Sequence, residues 1–259
     1  MKPFAFVFPG QGSQSVGMLD AWGDHPAVAA TLAEASEAAG LDVGRLIHDG
    51  PAETLALTVN TQLVMLVAGV ANYRAWLHEG GPVPAAVAGH SLGEYSALVA
   101  AGALTLADAV PLVRFRAQAM QDAVPVGSGA MMAILGLDGA DVARACEQAA
   151  RDSGEIVSAA NFNDPKQTVI AGSTAGVEMA VTLLKAIGAK RAMPLAVSAP
   201  FHCALMKPAA DRLRERLAAT PIAAPAIPVL NNIDVAAETD PDRIRDALFR
   251  QAYGPVRWV

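Results

Sequence analysis

The chain has 259 residues, of which 53% are hydrophobic, and its 19 Lys and Arg residues against 25 Asp and Glu give a net charge of −6. This length suffices for one large domain, or for a domain with a smaller insert, and the apolar fraction is ample for a core. The acidic balance and the lack of a lysine–arginine tract argue against a nucleic-acid partner.

The first half of the chain alternates strand and helix patterns. Short apolar runs at Phe4 to Phe8 and at Ala85 to Ala88 predict buried strands. Helical patterns are predicted over Pro26–Ala39, Thr61–His78, Leu92–Ala101 and Leu106–Asp122. Strands that alternate with helices indicate a parallel sheet with helices on both faces.

The pattern changes after Pro125. The next elements are predicted in the order strand, helix, strand, strand, helix, strand, at Gly129–Leu137, Ala140–Arg151, Glu155–Asn161, Gln167–Ala171, Thr174–Ile187 and Lys190–Val197. This β-α-β-β-α-β order is typical of ferredoxin-like folds. Because prolines at 125 and 200 bracket it, we predict an inserted ferredoxin-like subdomain at 125–197.

The main domain is expected to resume after this insert. A helix, a strand and a last helix are predicted at Pro208–Ala218, near Ile227–Asn231 and from Pro241 onward. The predicted fold class is therefore α/β. An α/β-hydrolase-like parallel sheet domain would comprise residues 1–124 and 198–259, and the ferredoxin-like subdomain residues 125–197.

Several features favour a soluble, cytoplasmic protein. The apolar run at 4–8 ends at Pro9, too early for a secretory signal. The longest apolar stretch, Leu63 to Ala71, is too short to cross a bilayer, so no membrane partner is expected. Cys146 and Cys203 have neither metal-site spacing nor the pattern of a disulfide framework, which fits a reducing compartment.

The segment Gly89-His90-Ser91-Leu92-Gly93 has the pattern G-x-S-x-G between a predicted strand and a predicted helix. A strand, a tight glycine-flanked turn and a helix together predict a nucleophile elbow, which exposes the Ser91 hydroxyl above the strand ends. The N–H of Leu92, at the helix start, would point toward a developing negative oxygen. The alternative is a chance match in a chain with 22 glycines.

A serine hydroxyl needs a base within hydrogen-bond reach. His202 is the favoured base because it follows Ser91 in the chain, as in α/β hydrolases; the alternative is a histidine satisfied within the core. The acidic residues between the two fall in predicted helices or in the insert, so we favour a dyad whose imidazole is oriented by a backbone carbonyl. The remaining histidines are interpreted as surface or structural residues: His25, His48, His78 and His90.

Two further groups could complete a site. The loop Gly10-Gln11-Gly12 lacks the G-x-G-x-x-G spacing of a dinucleotide-binding loop. An N–H exposed after the first strand could instead join that of Leu92 in an oxyanion hole. On the helix at 106–122, Arg114 and Arg116 are either a solvated face or, where buried beside a site, a fork for a carboxylate.

Three motifs, FPGQGSQ at 8–14, GHSLGEYSA at 89–97 and HCALM at 202–206, occur in this order. Together they resemble the malonyl-CoA:acyl carrier protein transacylase family of bacterial fatty acid synthesis, within the acyltransferase superfamily, over essentially the whole chain. The resemblance implies an acylated serine, its base, two oxyanion-hole amides, an arginine for the malonyl carboxylate and a carbonyl that holds the histidine: Ser91, His202, Gln11, Leu92, Arg116 and Gln251. Asn161 and Asn163 match asparagines near the family's pocket.

The activity that this resemblance implies is transfer of a malonyl group from malonyl-CoA to the phosphopantetheine thiol of acyl carrier protein, without a metal or redox cofactor. A monomer is expected. A bulky Phe201 before the histidine fits unbranched malonyl units. Acyl carrier protein is acidic, so a basic patch is expected, with candidates Lys185, Lys190, Arg191 and Lys207. Family members usually continue beyond Val259, which implies a C-terminally shortened chain.

Other functions remain open from the sequence. The same chemistry could serve a malonate decarboxylase or a polyketide system. The elbow could also belong to a serine thioesterase or esterase, although the lack of an acidic third member argues against that. A non-catalytic carrier-binding protein is a further alternative.

Overall fold

The computed structural model describes residues 2–125 and 127–259. Met1 and Val126, which fall within the predicted domain ranges, lie outside the described residues. Contacts divide the chain into two compact units. The first unit comprises Met1–Gln118, Arg216–Asn231 and Val235–Arg245, and the second comprises Ala119–Glu215, Asn232–Asp234 and Asp246–Val259.

The secondary structure mixes helices and strands along the whole chain. The helices are α1 (Pro26–Ala39), α2 (Val43–Asp49), α3 (Ala52–Leu55), α4 (Thr58–His78), α5 (Gly93–Ala100), α6 (Leu106–Asp122), α7 (Gly139–Ser153), α8 (Thr174–Ala186), α9 (Lys207–Ala219) and α10 (Pro241–Gln251). The strands are β1 (Ala5–Phe8), β2 (Ala86–Gly89), β3 (Gly129–Leu135), β4 (Val157–Asp164), β5 (Gln167–Ser173), β6 (Arg191–Pro194), β7 (Val229–Leu230) and β8 (Val256–Arg257). Short 3-10 turns occupy Asp20–Trp22 and Ala204–Met206.

The sheet of the first unit has the strand order β1-β2-β7, and both pairings are parallel. Phe8, the last residue of β1, is paired with Gly89, the last residue of β2. The carboxyl ends of these two strands therefore lie at one edge of the sheet, and the loops that follow them start side by side. The predicted mixed α/β fold with a parallel sheet is confirmed.

Helices α4 and α5 pack against the strands of this unit, which are only partly buried: β1 buries Phe8 but leaves Val7 57% exposed. Helix α5 packs against β1 and β2, and α4 packs against α1 and α5. Helix α4 is buried along most of its length because its sequence is almost continuously apolar from Leu63 to Ala71, with Gln62 at the start of that run. A helix that is hydrophobic on nearly every side belongs in a core.

The sheet of the second unit has the order β6-β3-β5-β4-β8. Strands β3, β4, β5 and β6 pair antiparallel, whereas β8 joins β4 in parallel. Helices α7 and α8 pack against each other and against this sheet. Their shared core contains Ile134, Val142, Cys146, Ile170 and Leu184.

Three elements were not predicted, and several boundaries were wrong by one to three residues. Helices α2 and α3 and strand β8 are short, and strand β8 has two residues. Such segments are too short to show a hydrophobic period. The predicted strand Lys190–Val197 is limited to Arg191–Pro194, where it pairs with β3. Within 2–125 and 127–259, none of the helices is both long enough and apolar enough to cross a membrane.

Candidate active site

Ser91 lies in the tight turn between β2 and α5, as the G-x-S-x-G pattern predicts. Its φ of 52° places it in the left-handed region, which is uncommon for a residue other than glycine. The Glu94 N–H donates to the Ser91 carbonyl at 3.1 Å, which starts α5 from this turn. Such a strained backbone costs roughly 1–3 kcal/mol and occurs often at functional sites.

The glycines of the motif are required by close backbone packing. A Cβ on Gly89 would lie 1.8 Å from the Gly93 carbonyl carbon, and a Cβ on Gly93 would lie 2.2 Å from the Phe8 oxygen. A Cβ on Gly10 would lie 2.5 Å from the His90 oxygen. The backbone of the loop after β1 is therefore in close contact with the backbone of the turn after β2.

Two backbone segments near this turn carry the amides that are predicted to form an oxyanion hole. Leu92 is the N-cap residue of α5, at the end of a helix where N–H groups lack intrahelical partners. Gln11 lies in the turn after β1, where the neighbouring Gly12 N–H donates to Gln14 Oε1 at 2.8 Å. Both positions belong to the first unit, as does Ser91.

Arg116 is buried, with 1% of its surface exposed, and its guanidinium contacts Ser91. Nη2 donates to Ser91 Oγ at 3.2 Å, and Nη1 donates to Gln62 Oε1 at 2.7 Å. The guanidinium carbon lies 5.4 Å from the centroid of the Tyr95 ring. Arg114, two residues earlier on α6, instead donates to the Ala39 carbonyl.

Arg116 is buried beside the side chains of Tyr95 and Glu94. Burial lowers the pKa of Arg116, and the neighbouring Tyr95 and Glu94 raise it in part. Burial raises the pKa of Tyr95 to about 12, so its hydroxyl stays neutral near pH 7. Arginine keeps its proton in proteins, so Arg116 is a fixed positive charge beside Ser91.

His202 lies in the second unit and is held by the main chain of Gln251. Its Nδ1 lies 2.9 Å from the Gln251 carbonyl oxygen, and the side chain is 4% exposed. Because a carbonyl only accepts, Nδ1 carries the proton, and Nε2 of the neutral ring has the lone pair. Gln251 ends α10, where carbonyls lack intrahelical partners, so this one is available to the imidazole.

The backbone at His202 also has an unusual conformation, with φ 60°. The next residue, Cys203, is buried, and its thiol donates to the Pro200 carbonyl at 3.0 Å. Burial raises the pKa of Cys203 to about 11. The thiol is therefore protonated near pH 7 and is not a competing nucleophile.

The six predicted site residues fall into two groups. Gln11, Ser91, Leu92 and Arg116 belong to the first unit, where Arg116 is in contact with Ser91. His202 and Gln251 belong to the second unit and contact each other. Asn161 and Asn163 lie on β4, next to an irregularity in its pairing with β5.

Sequence reasoning missed the residues that surround Arg116. Gln62 and Glu94 are both 2% exposed, and Tyr95 is fully buried. A signal for Gln62 was present, since it is a polar residue at the start of the apolar run of α4. A polar side chain buried in such a run must find a partner, although the pattern does not say which one.

Residues 5–251 match the model of the acyl transferase domain, and the chain belongs to this family. It is 58% identical over 260 residues to the malonyl CoA-acyl carrier protein transacylase of Escherichia coli K12, covering 100% of this chain and 84% of that protein. The enzyme of the same name from Bacillus subtilis is 46% identical over 259 residues, with 100% and 81% covered.

Solved structures of malonyl transferases are also similar to this chain. An acyl-carrier-protein S-malonyltransferase from Burkholderia pseudomallei superposes with a TM-score of 0.96 at 62% identity, covering 99% of this chain and 83% of that one. A malonyl-transacylase in complex with its type II polyketide acyl-carrier protein also gives 0.96, at 52% identity, with 99% and 83% covered.

Proposed function

We propose that this chain transfers the malonyl group of malonyl-CoA to the phosphopantetheine thiol of acyl carrier protein, through a malonyl ester on Ser91, and so supplies fatty acid synthesis. The observation that carries this proposal is the buried guanidinium of Arg116 at 3.2 Å from Ser91 Oγ. An esterase that acts on neutral acyl groups needs no buried positive charge beside its serine. An enzyme that binds an acyl group ending in a carboxylate needs one, because the charge pairs with that carboxylate.

The carboxylate of the malonyl group would accept hydrogen bonds from Arg116. A planar guanidinium offers two parallel N–H groups that match a carboxylate. Gln62 holds Nη1 at 2.7 Å and fixes the plane of the fork. The acyl chain would thus be positioned before Ser91 attacks, and its binding energy would favour malonyl over acetyl groups.

In the proposed first half-reaction, His202 Nε2 takes the Ser91 proton as Oγ attacks the thioester carbonyl. The Gln251 carbonyl, 2.9 Å from Nδ1, keeps the ring oriented and stabilises the imidazolium that forms. The Gln11 and Leu92 amides hold the oxyanion. When the carbon–sulfur bond breaks, coenzyme A leaves as the thiol with the proton from His202.

The second half-reaction reverses these steps. His202 takes the proton of the phosphopantetheine thiol, and the sulfur attacks the malonyl–serine ester. The serine oxygen leaves with that proton, and malonyl-carrier protein is released. Exchange between a thioester and an ester is a nucleophilic substitution without a change in oxidation state, so we propose that no metal or redox cofactor takes part.

The proposed partner is an acyl carrier protein, the kind of partner present in the polyketide complex described above, and we expect it to be acidic. We propose that the exposed Lys190 and Arg191, at the start of β6, belong to its docking surface. Charge reversal at both positions should raise the apparent KM for carrier protein and leave that for malonyl-CoA unchanged. An unchanged KM for carrier protein would remove these residues from the docking surface.

Three finer assignments accompany the proposed function. The order β6-β3-β5-β4 supports an inserted ferredoxin-like subdomain at 125–197, within a hydrolase-like domain at 1–124 and 198–259. The two unpaired, buried thiols support a reducing, cytoplasmic location. We propose a monomer, which analytical ultracentrifugation would test.

A polyketide carrier protein is the second candidate acceptor. The similarity to a malonyl-transacylase bound to a type II polyketide carrier favours it. Relative transfer rates to a fatty-acid and a polyketide carrier protein would decide between the two acceptors.

The direct test is intact-mass spectrometry after incubation with malonyl-, methylmalonyl- and acetyl-CoA. The wild-type chain should gain one malonyl group, and Ser91→Ala should gain none. A carrier-protein chase should then move the label to the carrier. Release of free malonate instead would indicate a thioesterase, and no adduct on the wild-type chain would refute the proposal.

A further inference from the structure

Two histidines and a glutamate meet in the first unit, where the start of α1 adjoins the end of α4. His25 is the residue before α1, His78 is the last residue of α4, and Glu79 follows it. One potential ligand atom from each of the three lies within 4.8 Å of the others. Among the residues that the structure describes, this is the one group of His, Cys, Asp and Glu side chains with such spacing.

The backbone at both ends of this cluster is held by hydrogen bonds. The His25 N–H donates to the Trp22 carbonyl at 3.1 Å, and the His25 carbonyl accepts from Val28 and Ala29 at the first turn of α1. The Glu79 N–H donates to the Ala75 carbonyl at 3.0 Å. The cluster is therefore fixed by two helix ends that are more than fifty positions apart in sequence.

The side chains already contact one another. His25 Nε2 lies 3.0 Å from Glu79 Oε1, and the rings of His25 and His78 are edge to face with centroids 5.0 Å apart. The Trp22 ring also packs edge to face against His25, with centroids 5.2 Å apart, and its Nε1 donates to Asn72 Oδ1. Trp22 thus limits the rotation of the His25 ring.

We propose that His25, His78 and Glu79 bind a divalent transition-metal ion, with Zn²⁺ as the representative. Two imidazoles and one carboxylate form a ligand set that zinc uses in proteins, with a fourth position for water. Zinc bonds of about 2.0–2.2 Å place tetrahedral ligands about 3.3 Å apart. The three potential ligand atoms, which lie within 4.8 Å of one another, therefore need to approach each other by only about 1.5 Å to bind the ion. His78 and Glu79 are exposed and can supply it by rotation of their side chains.

The ion would link the beginning of α1 to the end of α4 and stabilise the first unit. Its affinity should be moderate. Metal-bound imidazoles normally donate their second N–H to an acceptor, which strengthens binding by roughly 10- to 100-fold. The buried Nδ1 of His25 has no hydrogen-bond partner among residues 2–125 and 127–259. Nickel and copper ions should bind as well, since imidazole sites follow the Irving–Williams order.

The test is calorimetric titration of chelator-treated protein with ZnCl₂ at pH 7.5, in which the wild-type chain should bind one ion. His78→Gln should bind it at least about 10-fold more weakly, because loss of a direct ligand costs at least as much as loss of a hydrogen-bond partner behind a ligand. Because His78 is exposed, this variant should keep the metal-free melting temperature. His48→Gln is the matched control: His48 is also exposed and lies 2.8 Å from a carboxylate oxygen of Asp20, but it is outside the cluster.

Three outcomes of this titration would overturn the proposal. The first is the absence of saturable zinc binding by the wild-type chain up to about 1 mM. The second is an affinity in His78→Gln within threefold of wild type. The third is an equal loss in His48→Gln. Cobalt substitution gives an independent readout, since tetrahedral Co²⁺ bound to the wild-type chain should show visible absorption that His78→Gln lacks. A spectrum that is the same in both would also contradict the site.

Discussion

Replacement of Arg116 by alanine should change which acyl group the protein selects. The guanidinium donates to Ser91 Oγ at 3.2 Å and to Gln62 Oε1 at 2.7 Å. In the proposed complex, the malonyl carboxylate accepts from the same fork. Acetyl has no such carboxylate, so the variant should lose malonyl transfer far more than acetyl transfer.

The size of the effect follows from the hydrogen bonds lost. A hydrogen bond to a charged group contributes about 1.5–3 kcal/mol. Gln62 already occupies one N–H of the guanidinium, so we count one hydrogen bond to the malonyl carboxylate. We expect the variant to lose about 3 kcal/mol of transition-state stabilisation for malonyl transfer, the upper value for one such hydrogen bond. This corresponds to a decrease of about 10²-fold in the ratio of kcat/KM for malonyl-CoA to kcat/KM for acetyl-CoA.

The assay is the rate of Ser91 acylation by each thioester, measured by quenched-flow mass spectrometry. The ratio cancels any loss that affects both substrates, such as the cavity left by a buried side chain. Arg114→Ala is the control, since Arg114 lies on the same helix and bonds the Ala39 carbonyl. It should leave the ratio unchanged. A ratio in Arg116→Ala within threefold of wild type would refute the carboxylate role.

Three further predictions concern the base, the elbow and the neighbouring thiol. His202→Ala should slow acylation by roughly 10²–10⁴-fold, measured below its own melting temperature, and a rate within tenfold of wild type would exclude it as the base. Gly89→Ala should lower the free energy of unfolding by at least about 3 kcal/mol in urea titrations, because its Cβ would lie 1.8 Å from the Gly93 carbonyl carbon. The control Gly44→Ala places its Cβ 3.5 Å from the nearest atom, within a helix, and should be neutral or stabilising. The pKa of Cys203 is raised to about 11, so about 0.1% of this thiol is thiolate at pH 8. Cys203 should therefore react with a disulfide reagent only after the protein unfolds. The free energy of unfolding should fall above pH 9, because the thiol ionises at a lower pH in the unfolded chain than in the folded one.

Much of the first unit could be predicted because its signals are local. A strand, a glycine-flanked turn and a helix around Ser91 follow one another within fifteen positions, and the structure places them there. The helices at Pro26–Ala39 and Leu106–Asp122 have the predicted bounds. Proline near the start and glycine after the end mark α1, and such punctuation is readable without any knowledge of packing.

The short elements escaped prediction for a physical reason. Strand β8 has two residues, and it is a strand because Asn161 and Phe162 of β4 pair with Val256 and Arg257. Nothing in the residues at 256 and 257 reports that pairing. It depends on how a distant segment is placed, and sequence periodicity carries no such information.

The sequence by itself determined the kinds of groups available: a serine in a glycine-flanked turn, a histidine without an acidic partner, and an arginine on an amphipathic helix. Only the tertiary structure decided which environment each one has. Arg116 is buried and donates hydrogen bonds to Gln62, 54 positions away, and to Ser91 Oγ, whereas Arg114 donates to a backbone carbonyl. Both arginines look alike in the sequence, because burial and hydrogen-bond partners are properties of chain packing and not of the local pattern.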